Sequence, residues 1–502
     1  MGAEGKPGEQ PQVQGPGPQP IVDLINALGD DRYRVREEAQ KKLIEIGAPA
    51  LEGVKAALNS PDPEVKARAE AIVAQIERNV VAARNEAARK KLLWTFTDGG
   101  GIAGAPAALK DGLCLVGEDG KLYVLDQKGK VKLRLDLSAE LPFTAAPAVG
   151  EGMAFVATRA GRLRAVDVEA GKIAWLSKPF DEIGLPAYGA GMIFIGGGES
   201  PNPQLPAYYE LVAYDARTGQ SKWTAKLDQL SAARPVVADG VVYVACAGVN
   251  RVVRAFEAAG GKEIWASENL QGLASGLAVA NGKVYVSHDA GLDCLDAKTG
   301  KSVWHSAKAA TPAVAIRGKV TISGKAVQMD QKDDPPAVAD GVVYVASRQE
   351  LCAVDAGTGE SLWTYRPEGV GEGSAAGSKI VIRAVRPGRA GAVARTVYQY
   401  SAISAPTVAD GIVCFGTGAG LCAVDTASHT LAWKFQTSNW ASRPIVAGGV
   451  AYFGTQAQPD DKHAGADDDD GGGLDQGKDG KQTQAEKAGL FAVGLTAAPA
   501  QR

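Results

Sequence analysis

The chain of 502 residues predicts an eight-bladed β-propeller, closed by an N-terminal strand and preceded by a small helical segment. Three observations predict it. A nine-residue pattern, clearest as Asp296-Ala-Lys-Thr-Gly-Lys-Ser-Val-Trp304, returns at Asp167–Trp175, Asp215–Trp223, Glu257–Trp265, Asp355–Trp363 and Asp425–Trp433. One signature per unit, at a period of about forty residues, marks a repeat architecture. Each unit also opens on a turn followed by a short apolar run, such as Asp239-Gly-Val-Val-Tyr-Val or Asn281-Gly-Lys-Val-Tyr-Val. Finally, the last unit ends without its Trp strand, and a lone strand around Trp94 precedes the first.

Within a unit, Asp-Gly or Asn-Gly before β-branched and aromatic residues is a tight-turn and strand signal. A second apolar run follows, as in Leu163–Asp167, Leu351–Asp355 and Leu421–Asp425. Then comes the Asp-x-x-Thr-Gly turn. There Asp accepts from backbone groups ahead of it, and Gly supplies a positive φ without steric cost. Trp closes the unit as a wedge between adjacent sheets. Trp94, Trp175, Trp223, Trp265, Trp304, Trp363 and Trp433 are therefore assigned to docking one blade on the next. The first unit is degenerate, with a turn one residue shorter at Asp126–Gly129 and Leu133 in the Trp place. The seventh has His429 in place of Gly, and His tolerates a left-handed conformation. The eighth has strands within 442–455 and 489–495, and Trp94 completes it. Closing the ring removes exposed sheet edges.

The Ala-x-Asp-x-x-Thr-Gly-x-x-x-Trp spacing resembles the docking motif of the quinoprotein-type, or PQQ-like, propeller family over about 91–495. WD-repeat propellers are the other candidate, but no Gly-His to Trp-Asp pairing recurs. The resemblance implies two function classes. The first, and favoured, is a non-catalytic protein–protein scaffold similar to the BamB-like lipoproteins of outer-membrane barrel assembly. Such a protein needs no cofactor and sits outside the cytoplasm. The second is an alcohol or sugar dehydrogenase using PQQ and Ca2+. Many alcohol-oxidising members carry a vicinal Cys-Cys ring, which this chain lacks, and no calcium-ligand set is legible in the sequence. No catalytic, cofactor-binding or metal-binding residue is assigned.

The front of the chain is different. Residues 1–20 read as a disordered Gly/Pro/Gln-rich tail with no apolar core of a signal peptide. Residues 21–90 carry apolar positions at helical spacing, such as Ile21, Leu24, Ile25, Leu28 and Val65, Ala69, Ile72, Ile76. Asp62-Pro63-Glu64 reads as an N-cap, a first-turn proline and a dipole-compatible acid. The segment resembles HEAT-type repeats, and so short a stack needs a surface to pack on. Insertions lie between Trp304 and Pro335, between Trp363 and Ser404, and over 456–487. The last holds the acidic run Asp467–Asp470 and reads as a disordered loop, with 496–502 as a tail.

Composition narrows the functions. Lys and Arg number 54 against 57 Asp and Glu, for a net charge of -3. No basic block occurs, so nucleic-acid binding is unsupported. No 18-residue apolar run indicates a transmembrane helix. The six cysteines form no Cys-x-x-Cys pair and read as small core residues. Of the four histidines, three are expected in turns or loops, and none is assigned chemistry. Gly196–Gly198 is expected in a long hairpin turn. One constellation remains as a partner-binding or small-ligand patch at the channel mouth. The segments Trp440-Ala-Ser-Arg443-Pro444 and Ser231-Ala-Ala-Arg234-Pro235 match each other, each before an innermost strand. Trp and Arg are enriched at binding hot spots, and the alternative is that Arg234 and Arg443 simply pair with loop carboxylates.

Overall fold

The computed structural model describes residues 18–102, 104–138, 146–158, 160–199, 208–228, 233–246, 251–310, 321–322, 325–326, 334–347, 349–367, 381–385, 393–397, 403–456 and 487–495. The chain divides into two compact units, Met1–Lys90 and Lys91–Arg502.

The first unit holds helices Pro18–Asn26, Tyr33–Ile46, Leu51–Ala57 and Pro63–Arg89. The first helix starts at Pro18, three residues before the expected Ile21. Leu28, Leu43, Val54, Ile72 and Ile76 are fully buried in its core. Asp62 caps the last helix, accepting from the N–H groups of Glu64 and Val65. Gly47, at φ 71°, ends the second. These signals were legible because they are local.

The second unit is a ring of eight antiparallel sheets, seven of four strands and one, blade 3, with a fifth short strand; the four strands of a blade are lettered a to d from the channel outward. Blade 5 is typical, with a Ala274–Ala280, b Lys283–His288, c Gly291–Asp296 and d Ser302–Ser306. Blade 8 combines Ile445–Ala447, Val450–Gly454 and Leu490–Gly494 with the N-terminal strand Leu92–Phe96, where Trp94 pairs with Ala492. The innermost strands neighbour one another around the whole circle. The last contact sets Ile445–Ala447 against Ala107–Leu109 of blade 1. The ring is therefore closed, and Trp94 completes its last blade.

Blade 3 departs from expectation. Gly196–Gly198 lies inside strand Met192–Glu199, which is extended and also pairs with the short strand Glu182–Ile183. The glycines are needed for space: a Cβ on Gly197 would enter the Phe180 ring, and one on Gly198 would meet the Tyr209 ring. All six cysteines are buried and free.

Strand direction gives the ring two unlike faces. The a–b and c–d turns lie at one end of every blade. The b–c turns and the d-to-a connections lie at the other, as His288 opposite Gly291 and Leu292 opposite Ser306 show in blade 5. We refer to these as the turn face and the connection face. The insertions after Trp304 and Trp363 are d-to-a connections, and the one at 456–487 joins b to c of blade 8. All three therefore leave and rejoin the ring on the connection face. A hairpin, Val381–Val385 with Val393–Val397, is described within the second. The expected disorder at 1–17, 457–486 and 496–502 lies outside the described residues.

Candidate functional site

The turn face is where the repeated motif acts. In five turns an Asp carboxylate accepts from the N–H groups two and three residues ahead. In blade 5, Asp296 takes Lys298 N at 3.1 Å, Thr299 N at 2.9 Å and Thr299 Oγ1 at 2.8 Å. Gly171, Gly219, Gly261, Gly300 and Gly359 follow at φ 66° to 79°, and His429 takes this place at φ 59°. Each indole lies against the turn of the next blade. Trp175, Trp223, Trp265 and Trp304 face Gly219, Gly261, Gly300 and Gly359, where a Cβ would collide with the ring. Their Nε1–H groups donate to the carbonyls of Ala216, Ala258, Ala297 and Ala356 at 2.8–3.3 Å. Trp94 donates likewise to Gln127 and Trp433 to Leu495. Trp363 instead stacks on His429, 4.9 Å between centroids. Leu133 meets Gly171 with no polar bond to offer.

The connection face carries the patch that the sequence singled out. Arg234 donates to the carbonyl oxygens of Pro186 and Ala146, the latter at 2.7 Å. These carbonyls lie just before the innermost strands of blades 3 and 2, so one guanidinium ties three consecutive blades. Beyond the expected pairing with loop carboxylates, Arg234 thus binds backbone acceptors. Arg443 is half-buried between Ser442, whose Oγ accepts from Gly454 N, and Pro444, whose carbonyl accepts from Thr407 Oγ1. Trp440 is half-exposed beside it. Arg234 belongs to blade 4 and the Trp440–Arg443 pair to blade 8. The two matching segments therefore stand on opposite sides of the ring.

The same face holds a group that sequence reading dismissed. His288 and His305 are not in turns or loops. His288 ends strand b of blade 5 and is fully buried, and His305 lies in strand d. Both converge on Asp293 of strand c, which pairs directly with His305. His288 Nε2 is 2.9 Å from Asp293 Oδ2, and His305 Nδ1 is 2.7 Å from Oδ1. The Ala290 N–H donates to His288 Nδ1 at 3.2 Å, so the neutral ring carries its proton on Nε2, toward Asp293. The imidazoles stack at 5.7 Å. Burial raises the Asp293 pKa, but hydrogen bonds and charge from His288 and His305 outweigh it and hold the carboxyl below its ordinary value. The signal was in the repeat positions: Asp293 precedes Cys294, the residue opposite the docking Trp304, and His305 follows that Trp. His429 lies in a turn, and His463 is outside the described residues.

The family model described as outer membrane protein assembly factor BamB matches residues 77–182, 176–249 and 249–471. The chain belongs to this family. It is 27% identical over 223 residues to the outer membrane protein assembly factor BamB of Yersinia pestis, covering 42% of this chain and 53% of that protein. It is 33% identical over 152 residues to the quinohemoprotein alcohol dehydrogenase of Comamonas testosteroni, covering 26% and 19%. The chain thus spans about half the length of the first relative and about a fifth of the second. In fold it is similar to the crystal structure of BamB from Moraxella catarrhalis, with a TM-score of 0.51 at 14% identity over 72% of this chain and 96% of that one.

Quinoprotein relatives of this BamB-like propeller raise the question of PQQ and calcium. The eight innermost strands are built from Ala, Val, Gly, Leu and Ile, with Tyr188, Ser275 and Thr407 as the polar exceptions. None carries a carboxylate or a cation. Ca2+ takes about six to eight oxygen ligands, and a quinone tricarboxylate needs cationic partners. These strands do not fit that pair. Among the described residues, His288, Asp293 and His305 are the group of three donors able to reach one ion. Two imidazoles and one carboxylate are not a calcium set.

Proposed function

We propose that this chain is a non-catalytic protein-binding scaffold of the cell envelope, acting in the assembly of outer-membrane proteins. The observation that carries this reading is the asymmetry of the ring. The three insertions, Trp440, Arg443 and Arg234 belong to one face, while the other carries short, hydrogen-bonded turns. Loops displayed from a rigid scaffold are where binding residues concentrate. The family match to an assembly factor supports a client of that kind for this face, an outer-membrane protein or a component that assembles one. The helical unit, HEAT-like in its repeat phrasing, supplies a second surface for protein contact.

The test places a photo-crosslinking residue at Trp440 on the connection face or at Lys298 on the turn face. Crosslinks to outer-membrane β-barrel proteins or their assembly components from Trp440, and none from Lys298, are expected. The reverse pattern, or an unchanged pulldown with Trp440→Ala plus Arg443→Ala, refutes the assignment of the face. Adding PQQ and Ca2+ and following dye reduction with alcohols and sugars checks the dehydrogenase alternative. Substrate-dependent reduction overturns the scaffold reading.

A further inference from the structure

The His288–Asp293–His305 group has no part in the scaffold reading and its chemistry is specific. Two imidazoles and a carboxylate meet on one face of blade 5, with ligand atoms all within 4.8 Å of one another. Strand register aligns them. Val286 pairs with Asp293, Asp293 pairs with His305, and His288 lies two residues beyond Val286, so all three side chains share a sheet face. Val284, Val286 and Leu295 on that face pack into the core shared with Tyr243, Val253 and Leu270 of blade 4. The group therefore sits in the seam between blades 4 and 5, at the connection face. Backbone held in paired strands presents the three donors without loop ordering, the arrangement a tight site requires.

We propose that these three residues bind a zinc-class divalent transition metal. Imidazole nitrogen with carboxylate oxygen is a donor set for such ions, and three protein ligands leave a fourth position open. Zn–N and Zn–O bonds of about 2.0–2.2 Å put tetrahedral ligand atoms about 3.3 Å apart. Asp293 already holds the two rings at 2.9 and 2.7 Å through its two oxygens, and with all donor atoms within 4.8 Å of one another, side-chain rotation brings them to that spacing around one ion. Both imidazoles must present a lone pair to the ion, so each moves its proton to its other nitrogen. For His288 the acceptor is at hand. Asp289 Oδ1 and His288 Nδ1 crowd the same point, where a Cβ on Gly272 would sit. The Ala290 N–H then gives up its bond to Nδ1, and the Asp289 carboxylate, fixed by the Leu273 N–H at 2.8 Å, is the neighbouring group that can take the Nδ1 proton. Orientation of a ligating His by a carboxylate is the usual outer-shell arrangement. His305 is part-exposed, and its Nε2 takes the proton on that side.

The test uses the full chain, stripped with a chelator and dialysed. Titration with Co2+ is expected to give one equivalent of binding, with the intense visible bands of four-coordinate cobalt, displaced by Zn2+. His305→Gln and Asp293→Asn should each abolish the bands. The part-exposed His305 makes the first variant the safer one to fold, as far-UV circular dichroism will verify. Zn2+ should raise the melting temperature of the wild type and leave His305→Gln unmoved. Absence of stoichiometric binding in the wild type means the group is only a hydrogen-bonded triad and overturns the proposal. Bands that persist in both variants overturn it too, by placing the cation elsewhere, as on the Asp467–Asp470 run.

Discussion

Replacing Trp223 tests how the ring is held together. Its Nε1–H donates to Ala258 O of the next blade at 2.8 Å, and its ring lies over Gly261 and between Phe194 and Phe256, at 5.7 and 6.5 Å. The hydrogen bond contributes about 1 kcal/mol, and each aromatic contact about 0.5–1.5 kcal/mol. Truncating a core Trp costs about 3–5 kcal/mol. Trp223 is half-buried, so Trp223→Ala should cost about 3 kcal/mol, the low end of that range. Trp223→Phe keeps the ring stack and loses the donor, so about 1–2 kcal/mol is expected. Urea unfolding at 25 °C followed by far-UV circular dichroism measures both, with Trp440→Ala as a control expected within about 0.5 kcal/mol of the wild type. A cost below about 1 kcal/mol for Trp223→Ala would show that the repeated indole does not latch the blades. Equal costs for Ala and Phe would show that packing contributes nothing beyond the hydrogen bond.

Three further outcomes follow from the same geometry. Leu133→Trp should supply the latch that blade 1 lacks, donating to the Val168 carbonyl at the equivalent place over Gly171, and raise stability by about 1 kcal/mol; a loss in the urea midpoint contradicts this. The Asp215 carboxyl is pulled down to about 2 by hydrogen bonds from Thr218 and by Lys222. A depressed folded-state pKa stabilises above the ordinary value of 3.8, and that contribution is lost as pH falls toward about 2. Asp215→Asn should therefore flatten acid denaturation between those limits, and an acid limb identical to the wild type refutes the assignment. Burial pushes the thiols of Cys114 and Cys246 up to about 12 and those of Cys294 and Cys352 to about 11. Ellman's reagent at pH 8 should leave the native protein unmodified and titrate all six cysteines after unfolding; rapid reaction of the native protein contradicts the burial.

The misreadings share a cause. Gly196–Gly198 read as a turn because a glycine run is locally indistinguishable from one. The Phe180 and Tyr209 rings that need those glycines arrive from elsewhere in the chain. His429 was recognised as a left-handed turn residue, but its stack on Trp363 comes from the preceding blade. Arg234 stands as a proposed contact residue, and its additional bonds to the carbonyls of Pro186 and Ala146 become visible only when three blades are set side by side.

What the sequence alone determined is everything that repeats or acts over a few residues. That includes the blade count, the Asp-x-x-Thr-Gly turns, the substitution of Leu133 for Trp, the N-cap at Asp62 and the closure through Trp94. Turn chemistry and strand periodicity are short-range, and eightfold repetition amplified them. The tertiary structure decided what depends on register between strands and contact between blades. It set the points where the insertions leave and rejoin the ring on one face, placed Arg234 and Arg443 on opposite sides of the ring, and brought His288, Asp293 and His305 together. The three are separated along the chain and carry no motif. They meet because a pleated sheet turns alternate residues to one side, and the pairing of Asp293 with His305 makes that side the same.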